Sequence, residues 1–480
     1  MEEKILTNEN IEEKIARRER EQFIKMTQTP IPKLVVSLGI PTTLNMMVTS
    51  LYNLADTYFV SGLGQEATGA VNVVLSLMSI IQAIGFTFGM GSGSIVSKLL
   101  GERKQKEANE VSSSAFFAVG AIGLIILALG LLFLDPLLWL LGATEEVGVA
   151  VTTFEYARQY TFYILLAAPL TCMTFVLNNL LRSQGKAMLS MVGLITGAVL
   201  NIILDPIFIY TFGMGMRGAA IATAISQTIS FGLSLYMFVS GKSITRLHFK
   251  HISKQGKVYW EVIATGFPSF CRQILASLCT VLLNWAVKPY DGALAALGVV
   301  QKVFMIAFSI SLGIGQGYQP VLGYNYSAKF YQRVRKAYQF TLTFSMVLMT
   351  VFAAVSAILA ETIMQVFLEN PNAVEIGALS LRLQCLCMPL LPVNFMISVT
   401  TQAIGDKGAA TILSVSRQGL FYVPAVIILP QLFQLFGVQS CQAVSDFCSF
   451  LFAIPFTVRF FKQLTKLEAE NGEEQLPNET

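Results

Sequence analysis

The sequence predicts an all-α polytopic membrane protein with 12 transmembrane helices in two six-helix lobes, related by a pseudo-two-fold axis along the membrane normal. Three observations lead there. Of 480 residues, 54% are hydrophobic and only 13% charged, whereas a soluble domain carries about a quarter charged residues. The apolar residues fall in runs long enough to cross a hydrocarbon core of about 30 Å at about 1.5 Å per residue. Paired motifs also recur in the same order in the two halves of the chain.

Residues 1–32 are polar, with Glu12-Glu13-Lys14 and Arg17-Arg18-Glu19-Arg20. They lack the apolar core and cleavage site of a signal peptide, and are read as a cytoplasmic tail with some helical character. Six apolar segments then run approximately 33–60, 66–97, 111–141, 150–181, 187–211 and 216–239. A second six cover 259–287, 292–325, 334–368, 373–403, 409–432 and 437–461. This divides the chain into an N-lobe (33–240), an inter-lobe linker (241–258), a C-lobe (259–462) and a C-terminal tail (463–480). With the N-terminus inside, 27 of the 33 basic residues fall in inner segments, as the positive-inside rule requires. Both termini are therefore expected in the cytoplasm, with the spans in the inner membrane. All seven cysteines lie in apolar segments, which argues against a disulfide framework.

The longest inner connection, Gly241 to Lys257, separates the two sets of six. Gly39-Ile-Pro41 opens helix one and Gly266-Phe-Pro268 opens helix seven. Gly89-Met-Gly91-Ser-Gly93 in helix two pairs with Gly313-Ile-Gly315-Gln-Gly317 in helix eight, and the turn Arg182-Ser-Gln-Gly185-Lys186 with Gln402-Ala-Ile-Gly405-Asp-Lys407. Six helices separate equivalent points, so the repeat is parallel and encloses a cavity between lobes.

Ionisable groups inside the membrane are functional candidates by default. Asp56, Asp205 and Asp446 lie well within spans, while Glu261 and Asp135 sit near span ends within reach of water. Asn53 is one turn before Asp56, and Pro41 can bend the same helix. In Asn201-Ile-Ile-Leu-Asp205-Pro206 the four-residue spacing puts the amide and the carboxylate on one face, and Pro206 frees a preceding carbonyl. Two carboxylates, an amide and a carbonyl suit Na+, a hard cation that prefers oxygen. Alternatively the two carboxylates share one proton, because like charges resist joint ionisation. Aligning the repeats sets Asp56 against Leu283, and Asn201 and Asp205 against Phe421 and Ala425. The acidic site thus belongs to the N-lobe alone, which a shared scaffold role would not require. Asp446 has no polar cluster in its own segment and reads as a packing residue. Asn53, Arg272, Gln301 and Lys302 are candidate cavity residues. The histidines, His248 and His251, share a basic inner loop, and no nucleophile–base pair or metal-ligand spacing appears in the spans, so an enzyme is disfavoured. No selectivity-filter repeat favours a channel.

The chain resembles the bacterial branch of the multidrug and toxic compound extrusion (MATE) family, of the multidrug/oligosaccharidyl-lipid/polysaccharide flippase superfamily. The likeness covers essentially 33–462. It rests on the Gly39-Ile-Pro41 start with Asp56, on the Gly-rich end of helix two into Ser97-Lys-Leu-Leu-Gly101, and on Leu181-Arg182-Ser-Gln-Gly185 followed by Asn201-Ile-Ile-Leu-Asp205-Pro206. The resemblance implies a V-shaped pair of lobes that alternates access and exchanges amphiphilic or cationic organic compounds for Na+ or H+. It implies a coupling site of Asp56, Asn201 and Asp205, with Asn178 and Thr223 beside them, a bend of helix one at Pro41, and no cofactor. Carboxylates that another branch carries on helices seven and ten are missing from the middle of those spans. The expected partners are a small-molecule substrate and the lipid bilayer, without nucleic acid, for a chain acting as a monomer. A lipid-linked sugar flippase of the same superfamily is the alternative.

Overall fold

The computed structural model of the chain describes residues 17–141, 143 and 153–471. Among them the regular structure is helical, without a strand. The N-lobe comprises α1 (Ile31–Ser61), α2 (Gln65–Gly101), α3 (Gln105–Leu132), α4 (Thr153–Ser183), α5 (Ala187–Pro206) and α6 (Gly215–Val239). The C-lobe begins with α7 (Gly256–Val287), α8 (Ala293–Ser327), α9 (Tyr331–Ile358) and α10 (Pro371–Ile404). Pro389 and Pro392 deny α10 two backbone donors, and the helix tightens to a 3-10 turn at Met388–Leu390. The last stretch, Lys407–Glu470, is helical for 64 residues, too long for one crossing. Gln434, at φ 50° and ψ −130°, breaks it into α11 (407–433) and α12 (435–470), which restores the twelve expected spans.

The two halves repeat features that the sequence motifs did not include. A short helix follows α3 (Leu134–Leu140) and another follows α9 (Ala360–Phe367). Each carries an acid paired with an arginine of the next long helix. Asp135 pairs with Arg158 of α4 at 3.0 Å, and Glu361 with Arg382 of α10 at 3.0 Å. Arg382 is therefore half-exposed and paired, three turns into α10. All three tryptophans, Trp139, Trp260 and Trp285, are more than half exposed near span ends, where amphipathic rings favour the membrane interface.

The lobes meet through glycines. An added Cβ on Gly266 of α7 would lie 1.8 Å from the Thr87 carbonyl oxygen of α2, and one on Gly91 of α2 would lie 2.0 Å from that of Val262. On the pseudo-symmetric side, a Cβ on Gly317 of α8 would meet the Gly39 Cα at 2.5 Å, and one on Gly313 the Thr43 Cα at 2.3 Å. Backbones approach this closely only where one partner lacks a side chain, the usual device of membrane helix pairs. By contact, Gly91 corresponds to Gly317 rather than to Gly315, which faces Phe395 within its own lobe. The order of the glycine motifs was right, but their residue-by-residue pairing shifts.

These contacts gather at the end of the bundle that carries residues 17–28 and the end of α12, the terminal end. The turn motifs serve it too. Gly185 and Gly405 both adopt positive φ (73° and 94°). Arg182, expected in an inner turn, is buried instead, and bridges the lobes by donating to Gln316 of α8 and, at 2.6 Å, to Asn179. Its counterpart Gln402 donates to the Thr265 carbonyl of α7 at 2.8 Å. Gln184 ties down the linker, accepting from Ser243 Oγ and the Ile244 amide and donating to Thr245 Oγ1. Among the described residues, the last cross-lobe hydrogen bond toward the other end is Ser50 to Ser309, at 3.0 Å. Beyond it the C-lobe ends of α7–α12 form a separate apolar core. The bundle is closed at the terminal end and parted at the other.

Gly266→Ala is expected to cost about 1–3 kcal/mol through overpacking, seen as a lower thermal midpoint in detergent. Gly298→Ala, with nothing within 4 Å of an added Cβ, should leave it unchanged or slightly higher. Equal midpoints for the two variants would refute the close-crossing account.

Candidate functional site

Between the lobes lies a cavity of about 220 Å³, its walls mostly apolar and supplied by α1, α2, α4, α5, α6 and α8. Its polar wall is formed in the N-lobe by Asn178, Asn201, Thr223 and Gln227. Asp56 and Asp205 stand behind that wall, 7% and 0% exposed.

Helical periodicity builds the cluster. Asn201 and Asp205 are one turn apart near the end of α5, and the Asn201 amide donates to Asp205 Oδ1 at 3.1 Å. The same nitrogen donates to Thr223 Oγ1 of α6 at 3.2 Å. Tyr160 of α4 stands 3.4 Å from Thr223 Oγ1 and donates to Asp56 Oδ2 of α1 at 3.2 Å. Proton counting fixes the direction of this chain when both carboxylates are ionised. Tyr160 has one hydrogen and gives it to Asp56, so Thr223 donates to Tyr160 and accepts from Asn201, whose two N–H groups are then both used. A single line of hydrogen bonds thus joins Asp205 to Asp56 through Asn201, Thr223 and Tyr160, across four helices.

The line leaves acceptors over. Asp56 Oδ1, Asn201 Oδ1 and Asp205 Oδ2 are buried without a protein partner. Buried acceptors cost stability unless something satisfies them, and these three are all oxygens, two of them on carboxylates. The set suits a proton or a hard cation such as Na+.

The structure brings together Asp56, Asn201, Asp205 and Thr223. Asn178 lines the cavity but is occupied elsewhere, donating to the Thr174 carbonyl and accepting from Ser190 Oγ at 3.2 Å. Pro41 lies inside an unbroken α1, between the glycine crossings at Gly39 and Thr43. The side chain of Asn53 falls outside the described residues. Gln301 and Lys302 line neither this cavity nor the smaller one of the C-lobe. Lys302 is exposed, because Val299 and Val300 are the buried positions there and about 200° of helical rotation carries residue 302 from Val300 to the outer face. Arg272 lies in the C-lobe, against the smaller cavity. Asp446 is not isolated. Arg417, its side chain 12% exposed, donates to its Oδ1 at 2.7 Å, and Gln442 donates to the same oxygen at 2.8 Å. Tyr160 escaped the sequence reading, since one tyrosine among 15 has no local signature and becomes significant only when α4 is set against α1.

Two lobes around a central cavity, with buried carboxylates behind the polar part of its wall, define a multi-pass membrane transporter. The sequence profile of the MatE family matches residues 41–207 and 268–428, one match in each lobe, and the chain belongs to that family. It is 27% identical over 435 residues to the multidrug export protein MepA of Staphylococcus haemolyticus, covering 90% of this chain and 94% of that one. To MepA of Staphylococcus aureus MSSA476 it is 26% identical over 420 residues, 87% of this chain and 91% of the relative. A solved outward-facing conformation of a multidrug resistance MATE family transporter superposes with a TM-score of 0.86 at 25% identity, covering 92% of this chain and 98% of the other.

The hydrogen-bond line makes its two ends interdependent. Tyr160→Phe and Asp205→Asn do not touch each other's group, yet their destabilisations should be non-additive by more than about 0.5 kcal/mol in a double-mutant cycle of detergent unfolding. Simple additivity would mean that no such line exists.

Proposed function

We propose that this chain is a secondary multidrug efflux transporter that exports amphiphilic or cationic organic compounds in exchange for Na+ or H+. The observation that carries the reading is the position of Asn201 and Thr223. They face the cavity on one side, while on the other Asn201 donates to Asp205 and Thr223 reaches Asp56 through Tyr160, so occupancy of the carboxylates and of the cavity acts on the same line of side chains. The family membership and the names of the MepA relatives support the export role. The concentration of Lys and Arg at the terminal end supports a cytoplasmic location for both termini in a bacterial inner membrane. On that orientation the bundle is outward-facing, closed to the cytoplasm by the glycine crossings. The cavity and the cluster both lie within one chain, which supports a monomer as the working unit.

In the cycle, an external proton or Na+ reaches Asp56 and Asp205 and satisfies the unpartnered oxygens. Neutralising the carboxylates removes the attraction for a cationic substrate, which leaves outward. The α1 segment around Pro41 then shifts against α8, the lobes rock, and the ion is released inside. The ion and the substrate must prefer different states, since a ligand of equal affinity for both shifts nothing.

In proteoliposomes with separately imposed Na+ and pH gradients, Asp56→Asn and Asp205→Asn are each expected to reduce gradient-driven transport of a cationic dye at least tenfold. The gradient that drives the parent identifies the ion. Transport at parental rates by both variants would sink the proposal.

A further inference from the structure

The C-lobe contains its own small chamber, mostly apolar in lining, whose charged groups are basic. It is lined by Arg272, Arg417, Ser311, Asn394, Phe308 and Phe395, among others, and has a volume of about 30 Å³. That is room for about two water molecules, enough for a carboxylate head but not for a whole amphiphile. Arg417 is balanced by Asp446. Arg272 has no carboxylate partner among the described residues. It donates to Ser269 Oγ at 3.2 Å, and its guanidinium lies 5.4 Å from the Phe395 ring centre. One positive charge, only partly exposed, is therefore left over in an apolar lobe, and a charge held away from bulk water is unfavourable unless a counter-charge or acceptor reaches it.

The donors point the same way as the charge. Arg417 Nη2 and Ser311 Oγ are buried without a partner, and Ser311 is 2% exposed. The spare acceptor Asp446 Oδ2 belongs to a residue that does not line the chamber. The walls suit an aromatic or aliphatic tether. The Arg417 guanidinium lies 5.6 Å from the Phe308 ring centre, and Phe308 meets Phe395 edge-on at 6.0 Å. Phe308 lines this chamber and also the main cavity, so it forms the partition between them.

We propose that this chamber binds the anionic head, a carboxylate, of an amphiphile whose apolar body lies in the main cavity across Phe308. Arg272 supplies the charge, and Arg417 Nη2 and Ser311 Oγ supply hydrogen bonds. A substrate with an acid at one end and an amine at the other would then span both lobes, its amine toward the acidic N-lobe and its acid toward Arg272. The inference concerns binding alone, and stands or falls separately from the ion-coupled export reading.

The test uses a matched pair of probes, 1-pyrenebutyrate and 1-pyrenebutanol, with the full chain in phosphatidylcholine nanodiscs and empty nanodiscs as background. The butyrate is expected to bind at least tenfold more tightly than the alcohol, and acetate in excess should displace the butyrate without affecting the alcohol. Arg272→Gln should bring the ratio near one while leaving alcohol binding intact, which also reports that the variant is folded. Arg272→Lys should recover part of the ratio. Equal affinities in the parent, or an unchanged ratio in Arg272→Gln, would overturn the proposal. Displacement by acetate of both probes alike would also overturn it, because the head would then not be what the chamber reads.

Discussion

Everything else in this bundle depends on how closely the lobes approach at the terminal end. Gly91 against Val262 and Gly266, and Gly317 against Gly39, bring helix backbones within distances that no larger residue permits. Lipid tails are as apolar as leucine side chains, so burial of apolar surface gives no net drive for membrane helices to associate. Packing and hydrogen bonds must hold the lobes together. Concentrating the glycines at one end, with the Arg182–Gln316 contact beside them, fixes that end and leaves the other free to part. The crossings grip α1 on both sides of Pro41, so the helix that carries Asp56 is held at its base and unconstrained by them farther along.

The two lobes share this framework but have opposite electrostatic character. In the N-lobe, two carboxylates and an amide oxygen present more acceptors than donors. In the C-lobe, two guanidiniums face one carboxylate, and donors are left over. Phe308 stands between the two cavities. A duplicated scaffold keeps its carboxylate pair in one half, where buried Arg182 is engaged by Gln316 and Asn179, and its spare guanidinium donors in the other, a difference that would orient a substrate as a symmetric cavity would not.

Several residues changed meaning between sequence and structure, each for an identifiable reason. Arg182 read as inner-turn positive charge, yet it is in the interior, because a long arginine side chain reaches back along a helix to polar partners. Lys302 read as a cavity residue from its position in an apolar span, yet it faces outward, since periodicity gives relative but not absolute rotation. Asp446 read as isolated because its ion-pair partner Arg417 is far away in sequence, on α11, although Gln442, one turn before it, was already within reach.

The sequence by itself determined the number of spans, the duplication, and the pairing of Asn201 with Asp205. All of these follow from composition or from spacings within one helix, which short-range geometry dictates. Only the tertiary structure decided that Asp56 and Asp205 belong to one line, because Tyr160 and Thr223 join them from two other helices. It also decided that the glycine motifs are inter-lobe crossings and that Arg272 faces a chamber. Those facts depend on which faces of distant helices meet, and the packing of the whole bundle sets that.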